Sequence, residues 1–419
     1  MSLLIKNVIL NGEKKDIYIE KEKIKKIGKN LNLKAKEKID AHGKKAALPG
    51  LVNCHAHSAM VLLRGLADDF QLEVWLKEKI WPIEKKFSPD DIYWGTKLAI
   101  LEMIKSGTVC FNEMYWYEEA IFEAVKEMGI LAVIGLVMID FSSQGNKENI
   151  EKLYKNLKLK DLKTIKLSLA PHSIYTVSKE NLIWAKNFAL KNHLPLHIHL
   201  SETKKEVEDC LKKYKMRPVE YLNRIGFLGE NTILAHSIWL NDKEIEILKK
   251  RNCSLVYCPT SNMKLSSGVF PYKKIKKAGI NFCLGTDGAA SNNSLDMFSE
   301  MKFASLLQKI NEKDSTVASA NEIFKIASEN GFKALKIGSG KIRVGEVANL
   351  IFVDLDKISL IPNYNLISNL VYSASGDCVS DLICFGKILM RERKIKDEEK
   401  IVKNARKRVK NLIKIYESS

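Results

Sequence analysis

The stretch AALPGLVNCHAHS, residues 46–58, places two histidines at the end of an apolar run. The run follows a turn-like Leu-Pro-Gly and is rich in Leu, Val and Ala, as a buried β-strand is. His55 and His57 are two residues apart, so in a strand their side chains point to the same side. A single histidine in a strand is more often a hydrogen-bonded interior residue than a metal ligand. Other features of the sequence are therefore needed to choose between these two interpretations.

Apolar runs rich in β-branched residues recur eight times along the chain. The segments between them, such as residues 178–193 and 241–252, place apolar residues three and four apart, as amphipathic helices do. His55 and Asp287 are 232 residues apart over seven intervals, or about 33 residues per unit, the size of a strand–helix repeat. Eight such units predict a (β/α)8 TIM barrel of the α/β class. The runs are AALPGLVNCH, TVCFNEM, LAVIGLVMID, TIKLSLAPH, LPLHIHLSE, TILAHSIWL, CSLVYCPTS and INFCLGTDG.

The two ends of the chain alternate differently, like short strands joined by turns. LLIKNVIL and DIYIEKEKIKKIG lie near the start, and KIRVGEVANLIFVDLD and LICFGKILMRERKI follow residue 340. We expect these segments to form one small composite β-sandwich domain beside the barrel. The predicted domains are residues 1–50 for its N-terminal part, 51–337 for the catalytic barrel, and 338–419 for its C-terminal part with a terminal helix. That helix, KIVKNARKRVKNLIKIY, is basic and amphipathic, and we expect it to dock on its own domain.

Composition narrows the class of protein. The 419 residues are 46% apolar and 28% charged, which is typical of a globular protein. The net charge of +18 comes from lysines spread from Lys6 to Lys414, so a solvated surface is favoured over a nucleic-acid face. The eight cysteines form no CxxC pair, as in a reducing compartment. With no signal peptide at the start and no apolar stretch long enough to span a membrane, the sequence predicts a soluble, cytoplasmic protein.

Six of the eight histidines fall where predicted strands end, and only His42 and His193 do not. In a TIM barrel the C-terminal ends of the strands meet at one face, where active sites lie. Burying so many ionisable groups together is costly without a function, and a bound metal removes that cost. Imidazoles with one carboxylate suit Zn²⁺ and tolerate Fe²⁺, so we predict one divalent metal with His55 and His57 as ligands. The residues at strand ends are His55, His57, His172, His197, His199, Glu202, His236 and Asp287.

The chain resembles the amidohydrolase superfamily throughout its length, and within it the 5′-methylthioadenosine/S-adenosylhomocysteine deaminases, including 5′-deoxyadenosine deaminases. HxH alone is a weak signal, but the ordered series of motifs is specific. Spacing leaves the choice between His197 and His199 open, and the resemblance chooses His199. The metal ligands that it implies are His55, His57, His199 and Asp287. The motifs are LPGLVNCHAHSAMVLLRGLADDFQLEVWLKEKIWPIE, APHSIY, HIHLSET, LAHSIW, CPTSNMKL, LGTDGAASNNSLDM and VGEVANLIFVDLD.

The same resemblance implies roles for the remaining residues and a reaction. Glu202 would shuttle a proton, His236 would position the attacking water, and Asp287 would accept the proton of that water. Glu84, in IWPIE, would bind the ribose hydroxyls, and His172 would contact the purine. The implied reaction is hydrolytic deamination at C6 of adenine nucleosides, which are small-molecule partners. The resemblance also implies a homo-oligomer, for which the family suggests a tetramer, with one metal per subunit.

One difference between this sequence and the family pattern affects the expected substrate preference. Family members that handle S-adenosylhomocysteine well carry an arginine in the strand-three region, and the matching position here is Leu136. Lys147 lies nearby but is a point charge rather than a bidentate guanidinium. We therefore expect an apolar pocket that prefers small, uncharged 5′ groups, as in 5′-deoxyadenosine or 5′-methylthioadenosine.

Other functions compete with this one. A cyclic amidase of the same superfamily needs a carboxylated lysine at the end of strand four, where this chain has Ala170-Pro171-His172 and places Lys166 near the beginning. Guanine or cytosine deaminases and s-triazine hydrolases share the metal set, but Glu84 favours a riboside. A non-catalytic scaffold would tolerate lost ligands, and none is lost. The charge of +18 motivates an RNA-directed protein, which activity on free nucleosides at high salt would exclude.

Overall fold

A computed structural model describes residues 2–160 and 162–417 of the chain, with side chains as far as residue 413. Its strands fall into two sheets that change over at Gly50, between β5 and β6. The strands are β1 (Ser2–Leu10), β2 (Glu13–Glu20), β3 (Lys23–Gly28), β4 (Glu37–Asp40), β5 (Lys45–Pro49), β6 (Leu51–His57), β7 (Thr108–Glu113), β8 (Leu131–Met138), β9 (Ile165–Pro171), β10 (Leu196–Leu200), β11 (Thr232–His236), β12 (Ser254–Tyr257), β13 (Phe282–Leu284), β14 (Asp287–Gly288), β15 (Leu350–Asp354), β16 (Val379–Cys384) and β17 (Lys387–Met390).

The larger sheet is a closed parallel barrel with the order β13-β12-β11-β10-β9-β8-β7-β6-β14. β13 pairs with β12, and β14 pairs with β6, so one interrupted strand closes the ring. Gly285, in the interruption, passes close to the first strand, because a Cβ there would lie 2.8 Å from the His55 amide nitrogen. Only glycine permits that approach. The eight apolar runs of the sequence are these strands, and the predicted (β/α)8 fold is confirmed.

The smaller sheet joins the two ends of the chain, in the order β17-β16-β15-β5-β1-β2-β3 with β4 on β1. β15 is antiparallel to β5, with Leu350 opposite Pro49, and this pairing holds the ends together. The sheet has its own apolar core, in which Leu3 and Ile5 lie with Phe352. The predicted composite sheet domain is thereby confirmed, and we propose the predicted boundaries, residues 50 and 337, for the domains.

Helices cover the outside of the barrel, and the last one packs on a barrel helix. In α16 the guanidinium of Arg408 lies 2.7 Å from Asp91 and 3.5 Å from Asp90, at the start of α3. Of the described residues, no helix is both long and apolar enough to cross a membrane. The helices are α1 (Leu72–Val74), α2 (Trp81–Glu84), α3 (Pro89–Lys105), α4 (Glu118–Met128), α5 (Lys147–Leu159), α6 (Lys179–Lys191), α7 (Lys204–Tyr214), α8 (Pro218–Arg224), α9 (Asp242–Lys250), α10 (Pro259–Lys264), α11 (Tyr272–Ala278), α12 (Met297–Glu312), α13 (Ala320–Ala327), α14 (Glu329–Ala334), α15 (Leu366–Tyr372) and α16 (Glu398–Glu417).

The connection between β6 and α3 is long and contains several short helical segments. It contains a 3₁₀ helix, Ser58–Leu63, then α1, a π-helical turn, Trp75–Ile80, and α2. Single π-helical turns inside helical segments occur mostly at functional sites. This connection carries Trp75, Trp81 and Glu84 to the wall of the barrel's main cavity.

Candidate active site

Four side chains meet at the C-terminal ends of β6, β10 and β14. The His57 Nε2 atom lies 3.1 Å from Asp287 Oδ1 and 3.4 Å from His199 Nε2. The His55 Nε2 atom lies 3.4 Å from the same Asp287 oxygen. All four residues are buried, and Asp287 has a φ of 61°, a backbone conformation that a non-glycine residue adopts at a cost. The structure therefore brings together the four residues that the sequence predicts as metal ligands.

The ring nitrogens of His57 and His199 are oriented as metal ligands require. His57 Nδ1 donates to the Met114 carbonyl at 2.5 Å, and His199 Nδ1 donates to the His172 carbonyl at 2.7 Å. Their Nε2 atoms then carry lone pairs that face inward. His55 Nε2 is buried without a hydrogen-bond partner. Three imidazole nitrogens and one carboxylate oxygen, with room for a water, fit a divalent cation of the Zn²⁺ kind.

The geometry distinguishes the roles of His197 and His199, which the sequence spacing could not. His197 lies behind the cluster, with its Nε2 atom 3.1 Å from His55 Nδ1. Its other ring nitrogen, Nδ1, lies 3.1 Å from the Asn112 side-chain nitrogen, which also donates to the Cys54 carbonyl. His197 therefore supports the ring of His55 from below and is not part of the cluster.

The electrostatics of the cluster favour neutral imidazoles at His55 and His199 and an ion pair between His57 and an anionic Asp287. Burial lowers the pKa of His55 to about 4 and holds the pKa of His199 well below its ordinary value. Burial also acts to lower the pKa of His57, but the hydrogen bond and charge of Asp287 outweigh it and raise that pKa to about 9. For Asp287, burial acts to raise the pKa, and the neighbouring His55 and His57 hold it well below its ordinary value.

Glu202 and His236 lie side by side next to the cluster. The Glu202 Oε2 atom is 3.8 Å from His236 Nε2, and Oε1 accepts a hydrogen bond from the Ser267 hydroxyl at 3.2 Å. Burial raises the pKa of Glu202, with His236 opposing the effect. A carboxyl group with a raised pKa is suited to donating a proton near neutral pH.

The backbone of Glu202 is held by a residue that the sequence analysis missed. The carboxylate of Glu206 accepts hydrogen bonds from the backbone N–H groups of Ser201 and Glu202, both at 2.8 Å. Thr203 caps the same helix, α7, through a 3.1 Å bond from the Glu206 N–H. The T-x-x-E pattern of a capping box in SETKKE is the signal that could have identified Glu206.

Two more missed residues lie in the motif CPTSNMKL, on α10. The Ser261 hydroxyl donates to Asp287 Oδ2 at 2.6 Å, which leaves Oδ1 facing the histidines. The side-chain nitrogen of Asn262 lies 2.9 Å from His236 Nδ1. This helix therefore contacts both the acidic residue of the cluster and the histidine beside it.

A cavity of about 330 Å³ opens from the cluster. Glu84 lies in its wall, where the Tyr115 hydroxyl donates to it and burial raises its pKa. His172 also lines the cavity, with its Nδ1 atom 2.9 Å from the Thr176 hydroxyl. The structure thus places every predicted site residue on or beside this one cavity.

Neither Leu136 nor Lys147 lines the cavity. Leu136 and Val137 are both buried in β8, and successive side chains of a strand point to opposite faces, so Val137 lines the cavity and Leu136 does not. Lys147, at the start of α5, does not line it either, and the basic residue in the wall is Lys85. Aromatic residues complete this region, with the rings of Trp81 and Phe141 5.5 Å apart.

A (β/α)8 barrel with three histidines and an aspartate at its strand ends is an arrangement that can hold a divalent metal ion. The amidohydrolase family matches residues 46–389. The chain is 46% identical, over 93% of its length and 94% of the relative's, to a 5-methylthioadenosine/S-adenosylhomocysteine deaminase from Thermococcus sibiricus. It is 44% identical to a 5′-deoxyadenosine deaminase from Methanoregula boonei, over 96% of this chain and 93% of that one.

The chain is also similar to a solved structure. An adenosine deaminase from Xanthomonas campestris, with bound zinc, superimposes with a TM-score of 0.94 at 33% identity, over 98% of each chain. The chain therefore belongs to the amidohydrolase family. Within that family it groups with the 5′-methylthioadenosine/S-adenosylhomocysteine and 5′-deoxyadenosine deaminases.

Proposed function

We propose that the protein hydrolyses the 6-amino group of adenine nucleosides and releases ammonia and the inosine-type product. The observation that carries this proposal is the arrangement of Glu202, His236 and Asp287 on one wall of the cavity that also contains Glu84. The names of the relatives, which are adenine nucleoside deaminases, support it. The substrates that we propose are 5′-deoxyadenosine, 5′-methylthioadenosine, S-adenosylhomocysteine and adenosine.

We propose His55, His57, His199 and Asp287 as the ligands of one divalent metal, with Zn²⁺ preferred over Fe²⁺. The unpartnered His55 Nε2 atom and the inward-facing nitrogens of His57 and His199 support this assignment. The zinc in the related adenosine deaminase structure favours the same metal. A bound divalent cation lowers the pKa of a coordinated water from about 16 to about 7, which makes it a nucleophile at neutral pH.

In the reaction the protein's own residues place and move protons. Asp287, which stays ionised because its pKa is lowered, accepts a proton from the attacking water. His236 hydrogen-bonds to the oxygen as it forms a bond with C6. Glu202 donates its proton to N1, which becomes basic as the ring loses aromaticity. Asp287 then passes its proton to the amino nitrogen, the C6–N6 bond breaks and ammonia leaves. Glu202 takes back a proton from the C6 hydroxyl, so that the carbonyl and N1–H remain on the ring.

Glu84 is proposed to hold the ribose through charge-assisted hydrogen bonds to its hydroxyls, and His172 to contact the purine. Glu84→Gln should therefore raise KM for adenosine derivatives by about 10- to 100-fold while kcat changes little, since a hydrogen bond to a charged group contributes about 1.5–3 kcal/mol. Steady-state kinetics on nucleosides with and without the 2′- and 3′-hydroxyls would measure this. The matched control is Glu78→Gln, an exposed residue in the same connection.

The effect of Glu84→Gln should vanish on substrates that lack both hydroxyls, because the contact is then absent in either protein. An equal loss on all substrates would mean that Glu84 shapes the cavity rather than binding the ribose.

The experiment that tests the function is an ammonia-release assay over adenosine derivatives, with metal analysis of the same preparation. Apolar walls at Val137, Ile139 and Phe141 lead us to expect a preference for uncharged 5′ groups. kcat/KM for 5′-deoxyadenosine or 5′-methylthioadenosine should exceed that for S-adenosylhomocysteine by about tenfold or more, because none of the described residues that line the cavity is an arginine that could bind the carboxylate. A preference for S-adenosylhomocysteine would instead indicate that Lys85 binds the carboxylate.

The alternatives make different predictions in the same assay. A cyclic amidase would open hydantoin or dihydropyrimidine rings, but Lys166 bonds the Lys336 carbonyl at 2.6 Å, away from the cluster. Guanine and cytosine deaminases would release ammonia from free bases, and a non-catalytic scaffold would release none. Activity on free nucleosides that persists at high salt would exclude an RNA substrate. A homotetramer located in the cytoplasm stays a prediction from the sequence.

A further inference from the structure

Asn262 and His236 form a buried pair that the proposed reaction does not yet explain. The side-chain nitrogen of Asn262 lies 2.9 Å from His236 Nδ1, and both residues are about 1% exposed. An amide nitrogen can only donate a hydrogen bond, so the ring nitrogen that faces it must accept one. A neutral imidazole that accepts at Nδ1 carries its hydrogen on Nε2.

The reverse orientation of the amide is less favourable in these surroundings. As placed, the amide leaves its oxygen, Oδ1, without a partner. If the group were turned, that oxygen would meet His236, and the nitrogen with its two hydrogens would take the unpartnered position. Buried donors without partners are rarer than carbonyl oxygens without partners, so the orientation that donates to His236 is preferred.

The opposite side of the ring indicates the same tautomer. His236 Nε2 faces the Glu202 carboxyl group, whose Oε2 atom is 3.8 Å away. A ring nitrogen of His236 also lies within 4.8 Å of the ligand atoms of His55 and Asp287. The ionised oxygens of Asp287 attract a hydrogen and repel a lone pair, so a hydrogen on Nε2 is favoured here.

We infer that Asn262 is a positioning residue that fixes the Nε2–H tautomer of His236. The inference rests on the proposed function for its consequence, because His236 then meets the attacking oxygen as a hydrogen-bond donor. In this tautomer Nε2 has no free lone pair and cannot take a proton from the attacking water, while the basic nitrogen, Nδ1, faces Asn262. The proton of the water therefore goes to Asp287, and the helix that carries Asn262 also orients Asp287 through Ser261.

The tautomer can be read directly from the ¹⁵N chemical shifts of the histidine rings in metal-free protein. The His236 signals are identified by their loss in His236→Gln. We expect an unprotonated, hydrogen-bonded Nδ1 and a protonated Nε2 in the unsubstituted protein. In Asn262→Asp, where the carboxylate can only accept, Nδ1 should become protonated. A protonated Nδ1 in the unsubstituted protein would overturn the inference.

Kinetics test whether the tautomer matters for the reaction. Asn262→Leu keeps the shape of the side chain but removes the donor, so kcat should fall by about 10- to 100-fold while KM and metal content stay unchanged. Asn330→Leu is the matched control, because Asn330 bonds the Phe282 carbonyl at 2.9 Å within the fold and lies outside the site. It should lower thermal stability and leave kcat and the His236 spectrum unchanged.

A kcat of Asn262→Leu within twofold of the unsubstituted value would contradict the positioning role. Failure of the proposed function would look different. The unsubstituted enzyme would then release no ammonia from any nucleoside, while the ring shifts of His236 would still report which nitrogen carries the hydrogen.

Discussion

Asp287→Asn is expected to lower kcat/KM for nucleoside deamination by about 10,000-fold or more. Asp287 belongs to the proposed ligand set, and it also accepts the proton of the attacking water, so the substitution removes two functions at once. Without the metal, the pKa of that water returns from about 7 to about 16, and little hydroxide remains at neutral pH. Ammonia release, together with metal analysis of each preparation, would measure both losses.

His199→Ala separates the two functions, because His199 is proposed only to hold the metal. We expect it to lose metal and activity together, with partial recovery of activity at high Zn²⁺ concentration. His42→Gln is the control, since His42 is exposed and lies in the turn before β5. The ligand assignment would fail if His199→Ala kept both stoichiometric metal and ordinary activity.

The barrel could be predicted because its strands are fully buried and read as continuous apolar runs. Their spacing of about 33 residues gave the repeat, and the histidines after several of them marked the functional face. The interrupted last strand could not be predicted, because β13 and β14 together look like one run ending in Gly-Thr-Asp-Gly. Its two halves pair with different neighbours, and pairing partners are not visible in a single sequence.

The pattern of apolar strands ending in polar residues could not identify site residues that lie on helices. Glu84 follows a π-helical turn and reads as a solvated helix residue, and only the resemblance indicated a role. Ser261 and Asn262 lie in the motif CPTSNMKL, and their residue types alone indicate no role. Their contacts with Asp287 and His236 join positions more than 20 residues apart, which sequence spacing does not encode.

Buried carboxylates that hold the loops of the active face were missed for the same reason. Glu113 accepts from the Ser58 N–H at 3.0 Å, and Glu118 accepts from the Val137 N–H at 3.0 Å. Burial raises the pKa of each to about 7. Like Glu206, which accepts from the Glu202 N–H, they fix backbone at or next to residues of the site. In the sequence, these acidic residues look like ordinary helix surface or strand-end positions.

Glu202→Gln is expected to lower kcat by about 100- to 10,000-fold, the usual contribution of a general acid, with metal content unchanged. Glutamine can still hydrogen-bond to N1 of the purine, so KM should change by only a few-fold, but it has no proton to transfer. Because burial raises the pKa of Glu202, the protonated form persists to higher pH than for an exposed glutamate. Activity that depends on this form is present below the raised pKa and falls as pH rises through it.

The pH dependence of kcat/KM therefore provides a second measurement for Glu202. The fall at high pH should be present in the unsubstituted enzyme and absent from the residual activity of Glu202→Gln, since the amide does not titrate. Glu208→Gln, at an exposed position on α7, the helix that follows Glu202, should keep both kcat and the pH profile of kcat/KM. If Glu202→Gln retained kcat within tenfold, another group would have to protonate N1. His172 also lines this cavity, but it is poorly suited to that role, because burial and His57 lower its pKa to about 3.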